Sequence, residues 1–383
     1  MKQTEDKASL FERIAHGYFY GSSSGQFIAH DYRQGLSKEQ FKQIKKIKLR
    51  ALILSAVAGT LGVLLLYVPP VFWPKIFELW TVKFQMFGSE IPIPFFALLY
   101  GIVLAVVEIY YLVFLNIRAV HGIARLCGFP PKDDPDYHMH VRSLVNIGVE
   151  KNAKNELSIG LNPLQGYSKF RVVMIFIWNR AKATLSNMLF KMLLRRILGR
   201  YVLRVYIELA GIPIMAGWNV YAANKVIDQA KIRILSPGLI QYTILYLHKK
   251  YKNDAQFKDL IYDVLQFLAV KKRTFHENHY LLSINLIRTF GIDVKQLHEI
   301  DHDDFIKRIK NLPADMQDDI AYLIIIGMII DGHLSPQEKQ SLREMQQMNI
   351  IDFDIQRIKN MMLSFKRGNG VTVLRDQFKM HVE

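Results

Sequence analysis

Cysteine is almost absent: Cys127 is the single one in 383 residues. This excludes a disulfide framework and a cysteine-based zinc site, and it points to a reducing compartment, by default the cytoplasm. The opening stretch MKQTEDKASLFERIAHG has no apolar core followed by a small-residue cleavage site, so no secretory signal peptide is expected. No Gly-rich phosphate loop of the Walker or Rossmann form occurs, nor a nucleophile elbow. The GSSSG stretch from Gly21 to Gly25 reads as a flexible linker.

Acidic residues are scarce in one part of the chain only. Residues 1–235 hold 30 Lys/Arg against 15 Asp/Glu, whereas residues 236–383 hold 20 against 19, so the +16 net charge comes almost wholly from the first part. Half of all residues are hydrophobic, and the two longest apolar runs lie in that same basic part. Anionic lipid headgroups are therefore a better partner for the excess charge than nucleic acid.

Residues 51–68, ALILSAVAGTLGVLLLYV, contain no charge and meet the length needed to cross a hydrocarbon layer. Pro69 and Pro70 are expected to end this run. Residues 95–115 form a second run whose one acid is Glu108. Its apolar residues, at roughly −0.3 to −0.6 kcal/mol each, outweigh the roughly +3 kcal/mol of one ionisable group near the middle. Glu108 is then expected to be uncharged or paired. Lys38, Lys42, Lys45, Lys46, Lys48 and Arg50 precede the first run, and Arg118 and Arg125 follow the second. The intervening segment balances Lys75 and Lys83 with Glu78 and Glu90, so both termini are expected on the cytoplasmic side. The competing reading is a helical hairpin buried in a soluble core.

Residues 116–235 read as helices broken at GFPPKDDPD and GLNPLQG. Here residues 157–207 carry nine Lys/Arg and no acid, with Lys191, Arg195, Arg196, Arg200 and Arg204 interleaved with Phe190, Leu193, Leu194 and Ile197. Either a basic amphipathic helix on a bilayer or a core helix with a solvated basic face produces that pattern. In the following stretch, residues 208–230, Gly211, Ala216, Gly217, Ala222 and Ala223 permit close helix approach, while Glu208, Asn219 and Asn224 argue against a lone third span. Its string IPIMAGWN resembles the C-terminal part of the EcsC-like bacterial membrane-associated proteins, a resemblance over about thirty residues that implies membrane association.

Ser236-Pro237-Gly238 marks a domain boundary, and the remainder reads as helical. Residues 261–294 align with residues 320–353, pairing Ile261 with Ile320, Leu265 with Ile324 and Phe275 with Leu334, as a duplicated helix-turn-helix would. In IIDGHLSPQEK, Gly332 suits a helix C-terminus, Ser335 a cap, Pro336 a first helical position and Glu338 a capping box. A calcium loop of the EF-hand type does not fit, since position twelve would be Leu342. An apolar helix ending in Asp-Gly and continuing Leu-Ser-x-x-Glu within a duplicated helical domain resembles the TerB family of tellurite-resistance proteins over residues 239–383. That resemblance implies a stress-response setting and a divalent cation at Asp331 and Glu338. The first half departs from the pattern, with Lys271, Lys272 and Arg273 where the acid belongs. The His-Pro-Asp tripeptide of a J-domain, which accompanies such domains in some membrane proteins, is missing, so co-chaperone activity is not implied.

A rival enzyme reading rests on HEIDH, where His298, Glu299 and His302 have the spacing of two zinc ligands and a general base on one helical face. Against it, Asp301 fits better as the cap of a helix starting near Asp303. His138, His140, His276 and His279 read as surface residues. The expected architecture is all-α: a basic arm over 1–50, a transmembrane hairpin over 51–115, a membrane-apposed basic region over 116–235 and a TerB-like bundle over 236–383. The expected protein sits in a bacterial inner membrane, catalyses no reaction and needs no cofactor beyond that cation. It binds anionic lipids and a protein partner or a second copy of itself, with a membrane-anchored zinc protease as the alternative.

Overall fold

The computed structural model describes residues 36–86, 89–130, 136–149, 204–272, 276–294 and 298–380, with single positions at 13, 17–19, 159, 161, 165 and 168. It is predominantly helical. The elements in order are α1 (Lys38–Phe72), a one-turn α2 (Pro74–Phe77), β1 (Thr81–Met86), β2 (Ser89–Pro94), α3 (Phe95–Leu126) and α4 (Tyr137–Gly148). They are followed by α5 (Arg204–Tyr251), α6 (Ala255–Lys272), α7 (Glu277–Phe290), α8 (His302–Lys310), α9 (Ala314–Ile329), α10 (Pro336–Gln347), α11 (Ile355–Lys366) and α12 (Gly370–Phe378). The segment between the apolar runs departs from the all-α expectation: β1 and β2 pair antiparallel with Thr81 opposite Pro94 and Met86 opposite Ser89.

Two compact units divide the chain. One comprises Met1–Ala15, Lys45–Val120 and Lys169–Ile227; the other comprises His16–Ile44, His121–Ser168 and Asp228–Glu383. In the first unit α1 does not stop at its prolines, which lie inside the helix. Pro69 has no N–H for the carbonyl of Leu65 four residues back. The Tyr100 hydroxyl of α3 donates to that carbonyl at 2.6 Å, so the helix continues. Both α1 and α3 are long and apolar enough to cross a membrane, with mean hydropathy 2.3 over their best windows.

The second unit is a helical bundle with one apolar core, in which Phe257, Phe267, Phe305, Phe365 and Ile324 are fully or almost fully enclosed. The start of α1 belongs to this unit and is fixed by a capping box: Gln40 N–H donates to Ser37 Oγ at 3.1 Å, and Ser37 N–H donates to Gln40 Oε1 at 2.9 Å. Helix α5 runs unbroken through Ser236-Pro237-Gly238. Pro237 orphans the carbonyl of Arg233, and the Ser236 hydroxyl donates to it at 3.1 Å. Here too a side-chain hydroxyl replaces the missing N–H. The two repeated segments become α6–α7 and α9–α10, whose starts, Ala255 and Ala314, Glu277 and Pro336, keep the 59-residue offset that separates Lys272 from Asp331.

Candidate functional site

The turn between α9 and α10 forms as its residues dictate. Gly332 adopts φ +72, where glycine is favoured, and a Cβ there would push aside the end of the Ile232 side chain. Ser335 caps α10 by accepting from Glu338 N–H, and Glu338 Oε2 accepts from Ser335 N–H at 2.8 Å, completing the capping box. Asp331 Oδ1 accepts from His333 N–H at 2.9 Å. The free ends of both carboxylates then point at one place.

Lys272 fills that place. Its Nζ lies 2.7 Å from Asp331 Oδ2 and 2.7 Å from Glu338 Oε1, and it donates to the carbonyls of Met328 and His333, each at 2.9 Å. The ammonium is thus caged by four oxygens and almost wholly buried. Lys272 is the counterpart of Asp331 in the duplication, so the departure seen in the first half supplies the charge that balances the second. The residues do not fit a bound divalent cation as they stand, because a positive charge built into the chain already occupies the centre of the acidic pair. One ammonium faces two carboxyls, and they respond differently. Burial pushes Glu338 up from the ordinary carboxyl value, against the pull of Lys272. Burial works the same way on Asp331, but the Lys272 charge and the His333 N–H outweigh it and hold that carboxyl low. Among the described residues no group of three or more His, Cys, Asp or Glu is arranged to hold a metal ion.

The HEIDH string is not one helical face. Helix α8 begins only at His302, and Asp301 is its N-cap, accepting from Asp304 N–H at 2.9 Å as its position predicts. His298 precedes the helix in extended backbone, bridged to Leu161. Its ring is buried, stacks on Tyr262 at 4.1 Å and bonds Asp263 Oδ1 through Nε2 at 2.8 Å. Asp263 is also paired with Arg308 at 2.8 Å. Glu299 is exposed, and His302 stacks on Phe267 with its Nε2 3.8 Å from Glu344.

Two histidines expected at the surface are interior. His279 is buried and its Nε2 bonds the carbonyl of Gly327 at 2.8 Å; burial lowers it to about 3. His140 accepts from the guanidinium of Arg233 at 2.8 Å and is lowered to about 3 by burial and by that cation. Arg233 itself is 1% exposed, donates to Ser143 Oγ at 2.7 Å and lies 3.8 Å from Glu277. Sequence reasoning missed this cluster; a lone arginine in the apolar run KIRILSPGLI was its only signal. Asp319 is a further buried acid that the sequence did not single out. It accepts from Lys250 Nζ at 2.6 Å and Tyr251 hydroxyl at 2.7 Å.

In the first unit Glu108 is buried and paired. Its Oε1 accepts from Asn219 Nδ2 of α5 at 2.9 Å. The basic residues Lys191, Arg195, Arg196 and Arg200 lie outside the described residues, and Arg204 begins α5. No family model, curated protein or solved structure matches the chain.

Proposed function

We propose that the chain is a membrane-anchored, non-enzymatic protein whose α1–α3 hairpin holds a TerB-like helical domain at the inner face of a bacterial cytoplasmic membrane, where that domain recruits a protein partner. The supporting observation is the outward apolar surface of the hairpin. Only 28% and 17% of the two apolar windows is buried within the protein, and Leu61, Leu65, Val68, Leu99, Val103 and Val107 are exposed. A soluble core hairpin would bury those side chains, and an exposed apolar band of this extent calls for lipid. The basic flanks support contact with anionic headgroups. Caging of Lys272 favours recruitment over reversible cation sensing, since an exchangeable ion has no vacant set of ligands at Asp331 and Glu338.

Alkaline carbonate washing of membranes from cells expressing the full chain tests the anchor. The protein is expected to stay in the pellet, and release into the supernatant would sink the reading. Cross-linking in native membranes followed by purification tests recruitment, and recovery of this chain with lipid alone would count against it.

A further inference from the structure

Asn219 meets Glu108 at the level of Gly59 and Gly62, which lie mid-way along the first apolar run. A Cβ on Gly62 would sit 3.1 Å from Glu108 Oε2, and a Cβ on Gly59 would sit 2.9 Å from Met215 O and Ala216 Cα. The backbones of α1 and α5 therefore touch midway along the first apolar run. On α5, Met215, Asn219, Ala223 and Val226 form one buried face, while Ile214 and Tyr221 on another face are 54% and 60% exposed. Polar residues argued against a third span because a lone amide in hydrocarbon is costly. Here Asn219 is 2% exposed and its amide is satisfied by Glu108, so for that residue the objection falls.

We propose that residues 212–227 of α5 are a third membrane-embedded helix, sealed to the hairpin by the Glu108–Asn219 hydrogen bond, with lipid acyl chains covering the Ile214–Tyr221 face. The inference rests on the hairpin being a membrane anchor. Burial of the acid and the amide against each other satisfies both, as helix association in lipid requires. Lys225, exposed two residues before the end of this segment, has the stem length to carry its ammonium to the headgroups.

The test uses the full chain with Cys127→Ser in phosphatidylcholine nanodiscs, whose two faces are both open to solution, and single cysteines at Leu61, Ile214 or Leu245. A water-soluble maleimide is expected to label Leu245→Cys at once, and Leu61→Cys and Ile214→Cys at least an order of magnitude more slowly until detergent dissolves the disc. Fast labelling of Ile214→Cys beside a protected Leu61→Cys overturns the third helix and leaves the hairpin standing. Fast labelling of all three overturns the anchor itself. With Ile214→Cys as reporter, Glu108→Leu is expected to accelerate labelling. Glu108→Gln, which keeps an accepting oxygen, and the double change Glu108→Leu/Asn219→Leu, which removes both polar partners, are expected to preserve protection. Equal protection in all three overturns the sealing role.

Discussion

At the scale of single residues, the second unit shows how charge is buried without a ligand. Lys272 compensates Asp331 and Glu338, so its removal leaves a largely buried acidic pair without its cation. Lys272→Met is expected to cost about 3–5 kcal/mol in denaturant unfolding. Adding Asp331→Asn and Glu338→Gln should recover part of that loss, because the uncompensated charge goes with them; a triple variant less stable than the single one would contradict the cage. Buried His140 and His279 and half-buried His276 make a second prediction. His140 and His279 are lowered to about 3 and His276 to about 4 from 6.5, first by burial, so between pH 6.5 and about 4 the unfolded chain binds protons that the folded chain does not. Stability is then full above 6.5 and falls as pH drops, by at most ~1.4 kcal/mol per pH unit for each histidine. Glu277 and Glu338, both raised by burial, act in the opposite sense. The melting temperature should decline from pH 7 to 5.5, and His279→Gln, whose amide can still donate to Gly327 O, should flatten the decline. A melting temperature constant over this range would refute it.

At the scale of elements, local turn chemistry was legible and long-range rescue was not. Ser335, Pro336 and Glu338 announced the start of α10, and Asp301 that of α8, because a cap is made from residues within a turn of each other. Pro69-Pro70 reads as the end of an apolar run and Ser236-Pro237-Gly238 as a domain boundary, since a proline orphans the carbonyl four residues back. What the sequence could not show is that a hydroxyl supplies the missing donor, from Tyr100 across the hairpin in one case and from the adjacent Ser236 in the other. The caged Lys272 was half legible: its alignment with Asp331 was visible, but that aligned residues touch each other is a property of how α6 packs on α9. With the proposed anchor placing lipid around Leu65, Tyr100→Phe should therefore lower stability by about 1–3 kcal/mol, the cost of a carbonyl left unsatisfied away from water. Pro69→Ala in the same chain should restore most of it by returning the N–H. If the two changes are simply additive in thermal melts in detergent, the hydroxyl is not substituting for the proline's missing donor.

At the scale of the whole molecule, charge and hydropathy are divided along the sequence, and the division carries a direction. Lys45, Lys46 and Arg50 lie in the first turns of α1, just before its apolar run, and Arg118 lies near the end of α3, all exposed, while the ribbon segment between the helices has as many acids as bases. Short loops with little Lys or Arg are the ones translocated, so the ribbon is expected outside the cytoplasmic membrane and residues 236–383 inside. Ser341 would be a poor reporter of the inner side, being 2% exposed, whereas Leu79 and Met348 are 53% and 43% exposed and can be reached by reagent. In intact bacteria carrying the Cys127→Ser chain, an impermeant maleimide is expected to label Leu79→Cys and to label Met348→Cys only after lysis. Labelling at 348 and not at 79 would invert the topology. Recruitment would then have to draw on extracytoplasmic partners, and the basic flanks would face the leaflet that attracts them less.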